Sequence, residues 1–115
     1  RRPMENLIRL PSTRKSVRHF FFTRHELGQL LSLYASRVAA GEWRDYALDR
    51  HDDMAVFSIF RHTHERPLYS VSKSQRRGQK RPTFTLFAGP KRLKTSSSLL
   101  DVLDTFEKLP RLVQS

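Results

Sequence analysis

The sequence predicts a two-layer α+β domain: a four-stranded antiparallel meander flanked by an N-terminal and a C-terminal helix, in the order α-β-β-β-β-α. Three observations predict it. Apolar residues recur at helical spacing in one segment before and one segment after the middle of the chain. Between them, short segments alternate apolar and polar residues, and the links between them are short enough for hairpins. The chain has 115 residues, enough for one core and too few for two. Residues 20–115 therefore read as a single domain and residues 1–19 as a flexible basic arm.

The arm carries Pro3, Pro11, Ser12, Thr13 and scattered Arg without any period, the pattern of irregular chain. Thr23 and Glu26 then fit a capping box, with Phe22 and Leu27 as its hydrophobic staple. Leu27, Leu30, Leu31, Tyr34 and Val38 share one face of a helix from about Arg24 to Ala40, and Gly41 is placed to end it. The first strand runs from Trp43 to Asp49, with Tyr46 and Leu48 alternating with polar residues, and His51-Asp52-Asp53 reads as a turn. Met54 to His62 is the longest apolar stretch and reads as a central strand covered on both faces. After Glu65-Arg66-Pro67, Leu68 to Ser74 sets Tyr69 and Val71 on one face. Gln75 to Arg81 is a basic hairpin loop around Gly78, and Thr83 to Phe87 sets Phe84 and Leu86 against Thr83, Thr85 and Phe87. Gly89-Pro90 ends that strand, with Lys91 to Lys94 as a brief continuation. Ser98 and Asp101 cap a second helix in which Leu99, Val102, Leu103 and Phe106 recur until Pro110 stops it.

Composition narrows the function classes. There are 22 Lys+Arg against 11 Asp+Glu, a net charge of +11, and no Cys. A disulfide framework, a thiolate zinc site and a Cys nucleophile are thereby excluded. No apolar run approaches membrane-spanning length and no signal-peptide core follows the basic start, so the expectation is a soluble protein. The charge is segregated: residues 25–65 carry seven acidic and four basic side chains, whereas residues 66–94 carry nine basic and no acidic ones. Such asymmetry steers polyanions toward one side of a molecule.

The string Ala39-Ala40-Gly41-Glu42-Trp43-Arg44-Asp45-Tyr46, followed by Ala55-Val56-Phe57-Ser58-Ile59-Phe60-Arg61, resembles a small alphaproteobacterial family catalogued as domain of unknown function 2794. The likeness runs from about Phe22 to Val113. Met4-Glu5-Asn6-Leu7-Ile8 resembles that family's start, which implies that Arg1 to Pro3 is a vector remnant. The resemblance implies a bacterial cytoplasmic protein and carries over no catalytic or binding residue.

Function must therefore come from the residues. The strongest constellation is cationic: Lys73, Arg76, Arg77, Lys80, Arg81, Lys91, Arg92 and Lys94, eight cations with no acid between them, expected to gather into one patch. Gln79, Thr83, Ser72 and Ser74 stand ready to add hydrogen bonds, and Arg14, Lys15 and Arg18 of the arm to assist. Cations on loops neutralise phosphates and release counterions, giving affinity without sequence preference. The competing reading is a solvated loop that keeps the protein soluble. Among the aromatics, Trp43, Phe57 and Phe84 read as core, with Tyr46 and Tyr69 partly exposed. The turn Glu42 to Tyr46 supports an alternative, a protein-docking spot built on Trp43, Arg44 and Tyr46, against a buried Trp beside an Arg44–Asp45 pair. His62 and His64, with His51, Asp52 and Asp53 nearby, offer two imidazoles on one strand face but no spaced third metal ligand. Asp45, Asp49, Asp52 and Asp53 are the only basis for a metal-dependent nuclease, and no nucleotide-binding or hydrolase motif is present. The expected protein is therefore not an enzyme and needs no cofactor or metal. It is a basic nucleic-acid-binding accessory or regulatory factor, for DNA or RNA; the alternative is an adaptor whose basic patch meets an acidic protein. Monomer and homodimer both remain open.

Overall fold

A computed structural model describes residues 20–62 and 66–109. The elements run α1 (Arg24–Ala39), β1 (Asp45–His51), β2 (Met54–Phe60), β3 (Tyr69–Ser74), β4 (Thr83–Ala88), β5 (Lys91–Ser96) and α2 (Leu99–Lys108). The sheet is antiparallel throughout in the order β1-β2-β3-β4-β5, a meander with five strands where the sequence predicted four. The expected brief continuation after Gly89-Pro90 is a full edge strand, with Ala88 paired to Lys91 and Phe84 to Ser96. It carries a bulge opposite Leu86 and Phe87, which leaves Leu93 as the extra residue. The arm with Arg14, Lys15 and Arg18, and Pro110, lie outside the described residues.

Both helix starts form as their caps dictate. Thr23 Oγ1 accepts from the Glu26 N–H at 3.1 Å while Glu26 Oε1 accepts from the Thr23 N–H at 2.7 Å. Ser98 Oγ accepts from the Asp101 N–H at 3.4 Å. At the end of α1, the Glu42 N–H donates to Arg37 O and the Gly41 N–H to Val38 O, both at 2.9 Å. That pair of bonds is a Schellman motif, and it requires the φ of +79° that Gly41 adopts.

Register determines the two faces of the sheet. Ala55, Phe57 and Ile59 of β2 lie beside Lys73, Val71 and Tyr69 of β3, and those beside Phe84, Leu86 and Ala88 of β4. Ala55, Phe57, Ile59, Val71, Phe84 and Leu86 of this face join Leu30, Trp43, Leu99, Val102 and Phe106 in the core, with Tyr69 packed against it. Each fully buried large apolar side chain contributes roughly 1.5–3 kcal/mol. Tyr34 of α1 packs edge-on against Tyr46 and Phe57, while Phe106 of α2 packs on Trp43 and Tyr69. Burial pushes the Tyr34 and Tyr69 hydroxyls above their ordinary pKa, with Asp45 adding to the rise at Tyr34. The other face carries Val56 and Ser58 of β2, Ser70, Ser72 and Ser74 of β3, and Thr83, Thr85 and Phe87 of β4. Both helices lie on the core side, so β2 is covered on one face where the sequence suggested two, and only Ser58 is buried on its second face.

One position of α1 departs from its expected stripe. Val38 is 40% exposed and Arg37 is buried in its place. The Arg37 guanidinium donates to Glu42 Oε1 at 3.1 Å and to Phe106 O at 3.3 Å, lies 3.7 Å from Glu107, and stacks over Trp43 at 5.5 Å. A buried guanidinium is tolerated because those acceptors and the indole face replace its water. It joins α1, the α1–β1 connection and α2.

Candidate nucleic-acid interface

The β3–β4 loop is an ordered turn. The Gln79 N–H donates to Arg76 O at 3.0 Å, closing a β-turn whose third residue, Gly78, has a φ of +91°. Gln79 Oε1 accepts from the Arg76 N–H at 2.7 Å, its amide nitrogen reaches Thr83 Oγ1 at 3.4 Å, and the Gln75 amide donates to Gln79 O at 2.9 Å. The glutamine expected to meet phosphate is therefore used to hold the loop. Arg76, Arg77, Lys80 and Arg81 are left exposed around it.

The eight expected cations do not form one cluster. Lys73 is 5% exposed, on the core face of β3, where Nζ donates to Glu26 Oε1 at 2.8 Å and to Phe21 O at 2.9 Å and lies over the Phe20 ring. It ties the sheet to the capping box of α1 and is unavailable to a ligand. Lys91 pairs with Ala88, at the opposite end of the sheet from the loop that joins Ser74 to Thr83. Lys91, Arg92 and Lys94 instead line the β5 edge, all exposed. Arg92, Leu93, Lys94 and Thr95 surround a hollow of about 410 Å³ at the bulge. The cationic surface is thus a margin of two parts, loop and edge, and no acidic residue falls between Arg66 and Leu100. The Asp52-Asp53 turn shares the loop's end of the sheet, since Met54 pairs with Ser74 and Ser74 with Thr83. Two strand spacings, about 10 Å, separate turn from loop.

The profile of a family described as "Protein of unknown function (DUF2794)" matches residues 20–103. The chain belongs to that family. No curated protein and no solved structure matches it. Among the described residues of this DUF2794 chain, no helix is long and apolar enough to cross a membrane.

The remaining candidates of the DUF2794 chain are dispersed or buried. Trp43 is 2% exposed, enclosed by Tyr34, Tyr69 and Phe106, which removes it as a docking anchor. Arg44 is exposed, and Tyr46 is 38% exposed but packed on Tyr34. Asp45 accepts from the Tyr46 N–H at 2.8 Å. The Trp43 indole N–H is buried and has no hydrogen-bond partner among the described residues, which costs roughly 1–3 kcal/mol. Trp43 also lines a cleft of about 410 Å³ with Val38, Gly41, Arg44, Arg61 and His62, a site that sequence spacing gave no reason to assemble. His51 and His62 lie at opposite ends of β2, roughly 20 Å apart, so they cannot share a metal. His64 lies outside the described residues. Asp45 and Asp49 lie along β1 and Asp52 and Asp53 in its turn. Among the described residues, no group of three His, Asp or Glu side chains is placed to hold a metal ion.

Proposed function

We propose that this protein binds nucleic acid through phosphates, using Arg76, Arg77, Lys80 and Arg81 of the β3–β4 loop and Lys91, Arg92 and Lys94 of the β5 edge. The observation that carries the reading is the ordered loop, which holds four exposed cations on a hydrogen-bonded turn in a segment free of acid. Cations on a fixed turn lose less conformational entropy on meeting phosphates than the same residues on a loose loop. The β5 edge has a second role that needs no ligand, since lysines on an edge strand discourage sheet-to-sheet aggregation. The loop is therefore the primary contact and the edge its extension. With Trp43 buried, the adaptor reading lacks its anchor.

Fluorescence anisotropy with labelled duplex DNA, single-stranded DNA and structured RNA across a salt series tests the proposal. Affinity is expected to fall steeply with salt. Reversing Arg76, Arg77, Lys80 and Arg81 to Glu is expected to lower the log–log salt slope by about 3 or more, at roughly 0.7–0.9 for each phosphate no longer neutralised. Binding absent at low salt, or a slope unchanged by the reversal, would overturn it.

A further inference from the structure

We propose that the nucleic acid bound by this protein is single-stranded, and that it follows the margin of the sheet formed by β4 and β5 with an unpaired base stacked on Phe87 and a phosphate held by Arg92. This inference rests on the phosphate-binding reading above and gives that site its class of ligand. Register sets the residues of the margin. Phe84 and Leu86 of β4 are buried in the core, so Thr83, Thr85 and Phe87 turn to the face away from the helices. Phe87 is a partly exposed ring on that face, and its cross-strand partner Arg92 is exposed. One step nearer the loop Thr85 is paired with Thr95, whose hydroxyl donates to Thr85 Oγ1 at 3.4 Å. At the bulge Leu93 packs against the core while Arg92, Lys94 and Thr95 stay exposed around their hollow of about 410 Å³. Toward the middle of the same face Ser58 and Ser72 are buried, which leaves the margin as the more accessible strip.

The strip is continuous with the basic loop. Thr83 begins β4 directly after the loop, and Phe87 lies four residues further on, roughly 13 Å away. A chain whose phosphates meet the loop cations therefore reaches Thr85 and Thr95, and then the pair of Phe87 and Arg92, as it follows β4. The pairing of ring with cation selects the ligand. In a duplex every base is already stacked and paired, so only phosphates meet the strip and the ring contributes nothing. In a single strand the base face is open. The ring stacks on it, the adjacent guanidinium takes the phosphate, and the threonine hydroxyls bond to sugar or phosphate. Every base has such a face, so the binding tolerates sequence.

The full chain is titrated by fluorescence anisotropy with labelled probes of equal length: oligodeoxythymidylate, oligouridylate, an abasic deoxyribose-phosphate strand and a DNA duplex. The first two distinguish DNA from RNA as the source of the single strand. The tighter of them is expected to bind about fivefold or more above the abasic strand, the low end of what one stacked base contributes, and also above the duplex. Phe87→Leu keeps the apolar bulk and removes the ring. It is expected to bring the base-bearing and abasic affinities together without altering their salt dependence, and Phe87→Tyr to restore the preference. Arg92→Ala is expected to lower the log–log salt slope by roughly 0.7, one phosphate of a single strand. Circular dichroism checks that each variant folds, and if Phe87→Leu does not, the ratio of base-bearing to abasic affinity in the unmutated chain decides alone. Equal affinity for base-bearing and abasic strands, tighter binding of the duplex, or an undiminished preference in Phe87→Leu would overturn this inference and leave phosphate binding by the loop intact. No binding of any probe at low salt would remove both.

Discussion

At the scale of single residues, Lys73 shows most clearly how position outweighs residue type. Counted as a charge it belongs to the basic segment; placed by register it is a core residue, bonded to the carboxylate that also closes the α1 cap. This was legible in the sequence, because the alternation that puts Tyr69 and Val71 on the covered face reaches Lys73 two residues later. Arg37 was not legible in the same way. Positions 37 and 38 both fall near the stripe begun by Leu30 and Tyr34, and only the docking of Glu42 and α2 selects Arg37. Lys73→Met is expected to cost about 3 kcal/mol in chemical denaturation, because it leaves the Glu26 carboxylate partly buried and short of a partner. Glu26→Gln preserves the capping-box pattern yet leaves the buried ammonium with the Phe21 carbonyl and a neutral amide in place of its carboxylate, so it also destabilises. The double variant is expected to lose less than the sum of the two single losses, since both remove the same contact. Additive losses would mean that the pair is not coupled. Nucleic-acid affinity of Lys73→Met is expected to be unchanged, in contrast to the loop variants.

At the scale of elements, the caps and the alternating strands were readable because each depends on local chemistry: a hydroxyl three residues before a carboxylate, or a period of two. The edge strand β5 was harder to read. Lys91-Arg92-Leu93-Lys94 has one apolar residue in four, and its bulge interrupts the alternation that marks the inner strands. Edge strands are favoured when charged, so the same lysines that obscured the strand are what an edge selects. The end of α1 offers the sharpest element-level test. Gly41 is held at a φ of +79° by two backbone bonds, a conformation that an L side chain adopts only with strain. Gly41→Ala is expected to destabilise by about 1 kcal/mol in denaturant unfolding, with a smaller loss for Gly41→Asn, which tolerates that region better. Equal losses for both would point to crowding and not to backbone conformation.

At the scale of the whole molecule, the charges of the described residues are segregated. The β5 edge and the β3–β4 loop are cationic, while β1 and its turn carry Asp45, Asp49, Asp52 and Asp53. The sequence showed the segregation by segment, and an antiparallel meander places its first and third turns at one end, so the topology itself returns the acidic turn to the end that carries the basic loop. If the loop binds phosphates, Asp52 and Asp53 repel the same phosphates from about 10 Å, each pair worth about 0.4 kcal/mol in water before salt screens it. Asp52→Asn/Asp53→Asn removes both charges, and Asn accepts the left-handed φ of +45° at position 52. The variant is expected to bind the preferred nucleic acid roughly three- to tenfold more tightly at low salt, with the gain fading as the Debye length shrinks below the turn-to-loop distance. Anisotropy titrations at low and high salt measure both quantities together. A gain that persists undiminished at high salt would show a direct contact by the turn, and no gain at low salt would place the bound phosphates away from this end of the sheet, along the β5 edge.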